Sequence, residues 1–597
     1  MGIWKSHNIG DLGASQAGQE VTLCGWVHTK REHGEILFIL LRDRSSLVQV
    51  NIQKNDENKS LWDDAMGLKP EFCIRIKGRV RLRPEEAINA EMATGEIEII
   101  PFEITILNDC KTLPFPVNTE TEISESMALK YRYLQLRRPS MAHMVKTRHE
   151  LVLFIRNLMN DMGFIEVETP LLTKSTPEGA RDFLVPSRVY PGKFFALPQS
   201  PQQYKELLMV GGVERYFQFA RCLRDEDARA DRQAEHTQLD FEMSFVDQDD
   251  IISVLNRVFL ESAERFSDLH IKEKPIPRIT YKEAMNTYGT DKPDLRFSME
   301  LHDLNSLFLD SSFAPLQKAA TDPDMTVHGI VIPEGGLWSR KLLDELSTFT
   351  DRFNGETLSW IAFRENEMRS SNAKRILNEE TISGIKDSTQ CGPDDLVLFA
   401  GGNWHKTVVF LGRIRSYMGK KLGLIDQSLL AFLFVVDFPQ FEWNEDEQRL
   451  DPIHHMFVLP KDNSVQFLDS DPLSVLSTQV DAVCNGYELC SGSLRNHRRE
   501  LQEKIMRLIG ISEEDAETKF GHLLNALEYG APPHGGAAPG LDRLLMVLLN
   551  TERMSDVVVF PKTYSGRDLL MDAPSDVSLD QLHDLHLSII KSERTEA

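Results

Sequence analysis

A chain of 597 residues is long enough for several domains with large cores. Its formal charge of -24, pI near 5.2 and 41% hydrophobic residues exclude bulk electrostatic binding of nucleic acid, though not a local basic patch. The 7 cysteines form no C-x-x-C pair, which argues against a zinc site or disulfide framework and for a reducing compartment.

The first residues, Met1–Gly10, lack the apolar core of a signal peptide. Met1-Gly2 with Ser6 fits the short myristoylation pattern, which is too permissive to carry weight. The longest apolar run, Leu429–Val436, is too short to span a bilayer and reads as a buried strand. The expectation is a cytoplasmic protein without a membrane partner.

Up to Asn108 the chain is a series of short strand-like runs: VTLCGWVHTK, EILFILLRD, LVQVNIQ, EFCIRIKGRVRLR and GEIEIIPFEITIL. Such a series with polar breaks predicts a small closed barrel. Lys69, Arg75, Lys77, Arg79, Arg81 and Arg83 make a basic ribbon, and Phe38 on a neighbouring strand is placed to stack on a base. A basic groove with an aromatic suits single-stranded nucleic acid; a charged strand edge that blocks aggregation is the alternative.

Residues 109–136 read as a linker containing LPFPVN. From Thr147 to Met162 apolar residues recur at helical spacing, and GFIEVETPLL follows as a buried strand ended by Pro170. TKSTPEGARDFLVP, which holds Glu178, reads as a mobile loop. FFALPQ is then a strand and SPQQYKELLM a helix, with Ser200 as N-cap and Pro201 in the first turn. Gln202 and Lys205 share a face near its start, where a lysine opposes the helix dipole unless an anion answers it.

The stretch Val213–Phe245 reads as two strands joined by a long charged loop. In its second half Thr237, Leu239, Phe241, Met243 and Phe245 alternate with His236, Gln238, Asp240 and Glu242. Period two puts hydrogen-bonding residues on one face. Arg224 stands at the end of the first strand, beside the loop, where a guanidinium can clamp a phosphate.

Residues 295–426 mix strands and helices with no chemical constellation. The pattern resumes at LLAFLFVVDFPQFEW, then DPIHHMF with His454, then VDAVCNGYELCSGSLRNH, where Asp481 and Glu488 can offer oxygen to a hard cation. EYGAPPHGGAAPGLDRLLMVLLN reads as a glycine-rich loop opening a helix, with Leu541, Leu544, Leu545 and Leu548 toward the core. It fits neither the Rossmann nor the P-loop spacing. Arg543 lies in the first turn, where a cation needs an answering phosphate.

FARCLRDEDARADRQAEHTQLDFE resembles motif 2 of class II aminoacyl-tRNA synthetases, in their aspartyl branch. The helix followed by GFIEVETPLL resembles motif 1, and the glycine-rich stretch with its helix resembles motif 3. The resemblance covers nearly the whole chain, in its bacterial form. It implies a multidomain α+β protein: an OB-fold anticodon barrel (1–108), a hinge (109–136), an antiparallel catalytic domain in two parts (137–294 and 427–573), an α/β insertion (295–426) and a C-terminal extension (574–597).

It further implies a homodimer and an ATP- and Mg2+-dependent enzyme that makes aspartyl-adenylate and charges tRNA(Asp). By resemblance Arg224, Glu226 and Arg543 act on the phosphates. Gln233, His236, Glu488, Gly540, Leu541 and Asp542 complete the ATP site, and Asp481 with Glu488 holds magnesium. L-Aspartate is expected to meet Glu178, Gln202, Lys205, Arg224, Asp240, His454 and Arg495, with Lys205 and Arg495 on its side-chain carboxylate and Glu178 and Asp240 on its ammonium. One departure stands out: where bacterial relatives commonly read three glycines this chain has Cys490, Ser491 and Gly492, so the added Cβ atoms of Cys490 and Ser491 are expected to crowd the substrate floor.

Arg31, Phe38, Gln49 and Glu98 are the implied anticodon contacts. His33 occupies a position where enzymes restricted to tRNA(Asp) resemble one another in having leucine, whereas those that also charge tRNA(Asn) tend to have histidine; Glu86, nearby, matches neither kind. An asparaginyl enzyme or a non-catalytic RNA-binding relative are the alternatives. Both fit less well, because Lys205 and Arg495 occur together and Arg224, Glu226, Glu488 and Arg543 are all present.

Overall fold

The computed structural model describes residues 4–176, 180–226, 232–339, 341–343, 358–364, 367–370 and 377–590, in two compact units divided between His143 and Met144. The first is built on a closed barrel in which β1 (Glu20–His33), β2 (Ile36–Arg42), β3 (Leu47–Gln53), β4 (Cys73–Leu82) and β5 (Ile97–Asn108) close in the order β1-β2-β3-β5-β4. Period-two alternation turns Val21, Leu23, Leu37, Ile39, Val48, Val50, Ile74, Ile76, Ile97 and Ile99 into one core and leaves polar residues outside. Helix α1 (Lys59–Gly67), not anticipated from the sequence, adds Trp62 and Ala65 to that core.

The basic ribbon on β4 is not an open cationic face. Arg75 and Lys77 reach Glu103 at 3.2 and 2.7 Å, Arg79 reaches Glu20 at 2.9 Å and Arg81 reaches Glu98 at 2.5 Å. Arg83 is buried and donates to the Ile97 carbonyl. Every second residue does point outward as expected, but each cation there has a carboxylate from a neighbouring strand. Residues 109–136 contain two short helices, Glu125–Lys130 and Arg132–Gln135, around Phe115, Val117 and Leu134.

The long helix α2 (Pro139–Asp161) buries Leu151, Ile155, Leu158 and Met159, a helical repeat. The second unit centres on an eight-stranded sheet. Its strands are β6 (Ile165–Glu166), β7 (Arg215–Leu223), β8 (Glu235–Ser244), β9 (Arg278–Thr280), β10 (Phe432–Val436), β11 (Val480–Cys484), β12 (Tyr487–Leu494) and β13 (His534–Ala537), in the order β9-β10-β11-β12-β13-β8-β7-β6. Only the two edge pairings, β9–β10 and β6–β7, are parallel. The apolar run does form a buried strand, β10.

Three expectations change. The strand after α2 is two residues at the sheet edge, with Ile165 exposed rather than buried. Helix α3 (Gln202–Val210) starts one residue later than expected, Pro201 preceding it while the Ser200 hydroxyl accepts from the Gln202 amide. Part of the glycine-rich stretch is strand rather than loop: Gly535 and Gly536 lie in β13, mid-sheet. Helix α4 (Leu541–Leu548) follows, with its leucines buried as expected.

The inserted block mixes strands and helices as expected. Its sheet runs Leu301–Asp303, Met325–Ile332, Leu396–Asn403, Ser359–Arg364, Glu367–Ser370, and every pairing among these is antiparallel. Helix Trp404–Lys421 packs Val408, Leu411, Ile414 and Met418 into its core.

Candidate functional site

The pairing of β7 with β8 places His236, Gln238, Asp240 and Glu242 opposite Cys222, Ala220, Gln218 and Tyr216, so these side chains share one face. That face is sealed rather than solvated. Lys205, carried in by α3, is 1% exposed, and its Nζ lies 2.8 Å from Asp240 and 3.1 Å from Glu242. Arg495, just past β12, bonds Glu242 through Nε at 2.9 Å and Nη2 at 3.3 Å. Two cations thus balance two carboxylates.

Burial alone would lower the Lys205 pKa, but Asp240 and Glu242 hold it above the usual lysine value. Burial pushes the Glu242 carboxyl up, yet Arg495 and Lys205 outweigh it and keep it ionised. Asp240 goes the other way: burial raises its pKa more than Lys205 lowers it. Apart from the Lys205 ion pair, neither Asp240 oxygen receives a hydrogen bond from the described residues. A buried acceptor of this kind calls for a donor from a ligand.

All five N–H donors of Arg495 have partners: Glu242 twice, His455 Nε2 at 2.9 Å, Ser493 Oγ at 2.6 Å and the Gly536 carbonyl at 3.1 Å. The glycine pair in β13 makes this packing possible, since a Cβ on Gly536 would stand 2.4 Å from Glu242 Oε2. Gln202 donates to Glu206, whose other oxygen faces His534 Nε2 at 3.4 Å. Glu242, Glu206, His455 and His534 were not foreseen as site residues. Glu242 had a legible signal, a carboxylate one strand repeat beyond Asp240.

At the other end of β8 lies a cluster of arginines. Burial, then Arg224, Arg543, Arg221 and Arg232, push the His236 pKa down to about 3, so the imidazole is neutral near pH 7. Among the described residues Arg224 Nε, which is buried, has no acceptor, and Arg543 Nη1 donates to the Glu488 carbonyl at 2.8 Å. Glu226 accepts from Arg232 at 2.6 Å. Gln233 is spent on the backbone of Lys562, donating at 3.2 Å and accepting at 3.1 Å. Gly540 bridges to Gln238, and Leu541 is buried at the start of α4.

Asp542 calls for a correction in emphasis. It was expected in the ATP site, but its oxygens take Arg148 Nη1 at 2.6 Å and the Thr237 amide at 2.9 Å. It ties α2, β8 and α4 together. Adjacent helix positions point about 100° apart, so Asp542 faces α2 while Arg543 faces β12.

Asp481 on β11 accepts from Gln479 at 2.7 Å, Ser491 at 2.6 Å and His454 Nε2 at 3.2 Å. His454 therefore faces Asp481. Burial would lower its pKa, but Asp481 holds it above the usual histidine value. Burial and then Asp481 raise the Glu488 pKa. Burial raises the Asp481 pKa, but His454, Ser491 and Gln479 outweigh it. Asp481 and Glu488 bring oxygen donors of the kind a hard cation takes, and among the described residues no group of three or more His, Cys, Asp or Glu side chains is placed to hold a metal ion. Ser491 thus has a hydrogen-bonding partner in Asp481, while Cys490 is buried opposite Ala482. Glu178 lies outside the described residues.

On the barrel, Arg31 pairs with Phe38, Phe38 with Asn51, and Gln49 with Glu98. Glu98 accepts from Gln49 and Asn51, each at 3.0 Å, and from Arg81. Burial raises its pKa, but Arg81, Asn51 and Gln49 outweigh that and keep it ionised. His33 meets the Phe38 ring edge-on at 6.5 Å; Glu86 is exposed in the turn Glu85–Ala87. Asn51 belongs with this group, and its outward place beside Gln49 in LVQVNIQ was the signal for it.

The site thus joins two buried cations, each paired with a carboxylate, at one end of β8 to a cluster of arginines at the other. Residues 124–564 match the family described as tRNA synthetases class II (D, K and N), and residues 21–107 match the OB-fold nucleic acid binding domain. The chain belongs to the class II tRNA synthetases of this D, K and N group. It is 45% identical over 586 residues, 98% of this chain and 97% of the relative, to the aspartate–tRNA(Asp/Asn) ligase of Rubrobacter xylanophilus. It is 43% identical over 587 residues, 98% and 99%, to the aspartate–tRNA ligase of Oceanobacillus iheyensis. Among solved structures, asparaginyl-tRNA synthetase of Pyrococcus horikoshii shares the fold with TM-score 0.58 at 20% identity, over 94% of this chain and 98% of that one. Aspartyl tRNA synthetase of Entamoeba histolytica does so with TM-score 0.57 at 17% identity, over 94% and 91%. Among the described residues no helix is long and apolar enough to cross a membrane.

Proposed function

We propose that this enzyme is an aspartate–tRNA ligase that activates L-aspartate with ATP and transfers it to tRNA(Asp), with tRNA(Asn) as a second acceptor. The observation that carries the substrate assignment is the buried pair Lys205 and Arg495, two cations in one pocket. The aspartate side chain binds by sharing donors that now face Asp240 and Glu242. Asparagine has no charge to answer them and would leave buried cations underpaired, a large penalty. Asp240, short of donors, receives the substrate ammonium.

The substrate α-carboxylate attacks the α-phosphorus of ATP in line, forming the mixed anhydride as pyrophosphate leaves. The terminal adenosine hydroxyl of tRNA then takes the aspartyl group and AMP leaves. Arg224 turns its unanswered Nε to the α-phosphate, where charge grows in the transition state. Arg543 holds the far end of the triphosphate, and neutral His236 lies against adenine. Asp481 and Glu488 would hold magnesium, which when bound neutralises phosphate charge. No protein nucleophile is needed; the chemistry is positioning and charge.

Exposed apolar side chains in the stretch resembling motif 1 (Ile165, Leu171 and Leu172) support a homodimer. We place the enzyme in the cytoplasm with its tRNA. On the barrel, His33 supports the second acceptor: the two anticodons differ in a base that offers an amino donor or a carbonyl, and an imidazole can meet either. Aspartylation of purified tRNA(Asp) and tRNA(Asn) tests this. The kcat/KM values should agree within about tenfold, with His33→Leu widening the gap; a gap above about 10³-fold, roughly 4 kcal/mol, excludes the dual acceptor.

A further inference from the structure

The outer face of the barrel continues past the residues expected to read the anticodon. Along β4 and β5, Lys77 faces Glu103 and Gly78 faces Pro101, so Phe102 is an extra residue in the ladder. A bulge of this kind re-aims a side chain, and here it turns Phe102 outward, 56% exposed. Gly78 permits it, because a Cβ there would stand 2.6 Å from the Ile100 carbonyl oxygen. Phe102 lines a groove of about 720 Å³ together with Ala17, Gly18, Arg79, Arg81 and Ile100. The two arginine side chains remain 62% and 54% exposed despite their carboxylate partners.

We propose that Phe102, with Arg79 and Arg81, is a second RNA contact that stacks a nucleotide flanking the anticodon. An exposed aromatic in one groove with guanidinium groups is a platform for a base and its phosphate. Arg81 belongs to both sites, lining the groove and holding Glu98, which in turn holds Gln49 and Asn51. Phe102 lies four residues beyond Glu98 along β5, about 13 Å at strand rise. That is too far for the base at Glu98, so the ring would meet a different nucleotide of the strand.

This inference rests on the anticodon role proposed for the barrel, and one experiment separates the two. Full-length enzyme is titrated with tRNA(Asp) and with anticodon stem-loop RNAs carrying 2-aminopurine at single positions. Phe102→Ala should weaken tRNA binding roughly fivefold or more and abolish quenching at a flanking position but not within the triplet. Phe102→Tyr should retain both, and aspartate-dependent ATP–pyrophosphate exchange should not change. If Phe38→Ala weakens binding while Phe102→Ala stays within about twofold, the second contact is overturned and the anticodon face stands. If neither variant matters, the anticodon role fails and takes this inference with it. A lower sedimentation coefficient for Phe102→Ala, with RNA binding intact, also overturns it and assigns the groove to a second copy of the chain.

Discussion

The ammonium of Lys205 lies 2.8 Å from the Asp240 carboxylate and 3.1 Å from that of Glu242, with all three side chains sealed from solvent. One cation shared between two acids can accept a third carboxylate only from a ligand that also brings a positive charge, and aspartate brings its ammonium. Lys205→Met should raise the aspartate KM at least about tenfold, or 1.4 kcal/mol, and leave the ATP KM nearly unchanged. It should also lower stability, because buried Asp240 loses its ion-pair partner while Glu242 keeps Arg495, a change of about 3–5 kcal/mol. An aspartate KM within about twofold of wild type in the folded variant would remove Lys205 from the substrate site.

Asp542 is predicted to act on structure rather than on ATP. Its oxygens hold Arg148 and the Thr237 amide, so Asp542→Ala should cost about 3 kcal/mol of stability, read as a lower Tm. The ATP KM of the folded variant should stay within about threefold of wild type. An unchanged Tm with an ATP KM raised tenfold or so would restore Asp542 to the nucleotide site.

His534 provides a pH dependence with a definite sign. Burial lowers its pKa, but the hydrogen bond to Glu206 and the charges of Glu206 and Glu242 more than reverse this, so the folded value is raised. A raised histidine pKa adds stability that is fully present below the unfolded value of about 6.5 and is lost as pH rises through the folded one. The Tm deficit of His534→Gln should therefore be larger at pH 6 than at pH 9. A deficit that grows with pH would mean that His534 is buried neutral.

Much of this was legible in the chain because periodicity reports which side chains share a face. The barrel strands, α2 and the polar face of β8 all follow from it. What periodicity does not report is whether a polar face meets water. The sequence puts Glu242 on the hydrogen-bonding face of its strand but does not name its partner, because Arg495 is 253 positions away. The outward arginines of β4 looked like a cationic groove for the same reason, since Glu20, Glu98 and Glu103 reach them from neighbouring strands. Gly535 and Gly536 read as loop because glycine is rare in strands; here a Cβ on Gly536 would meet the Phe241 carbonyl and Glu242, and one on Gly535 the Ser493 carbonyl. Among the described residues of the inserted block no side chains form a recognisable constellation, and the sequence is correspondingly silent about its role.

The central claim is that a buried cationic pocket selects aspartate and that Arg224 stabilises the transition state of its activation. ATP–pyrophosphate exchange, measured with aspartate and with asparagine in wild type and Arg224→Ala, tests it most directly. The account predicts exchange that depends on aspartate, is negligible with asparagine, and falls about 10²-fold or more in Arg224→Ala through kcat rather than KM. Equal exchange with asparagine, or an undiminished rate in folded Arg224→Ala, would contradict it.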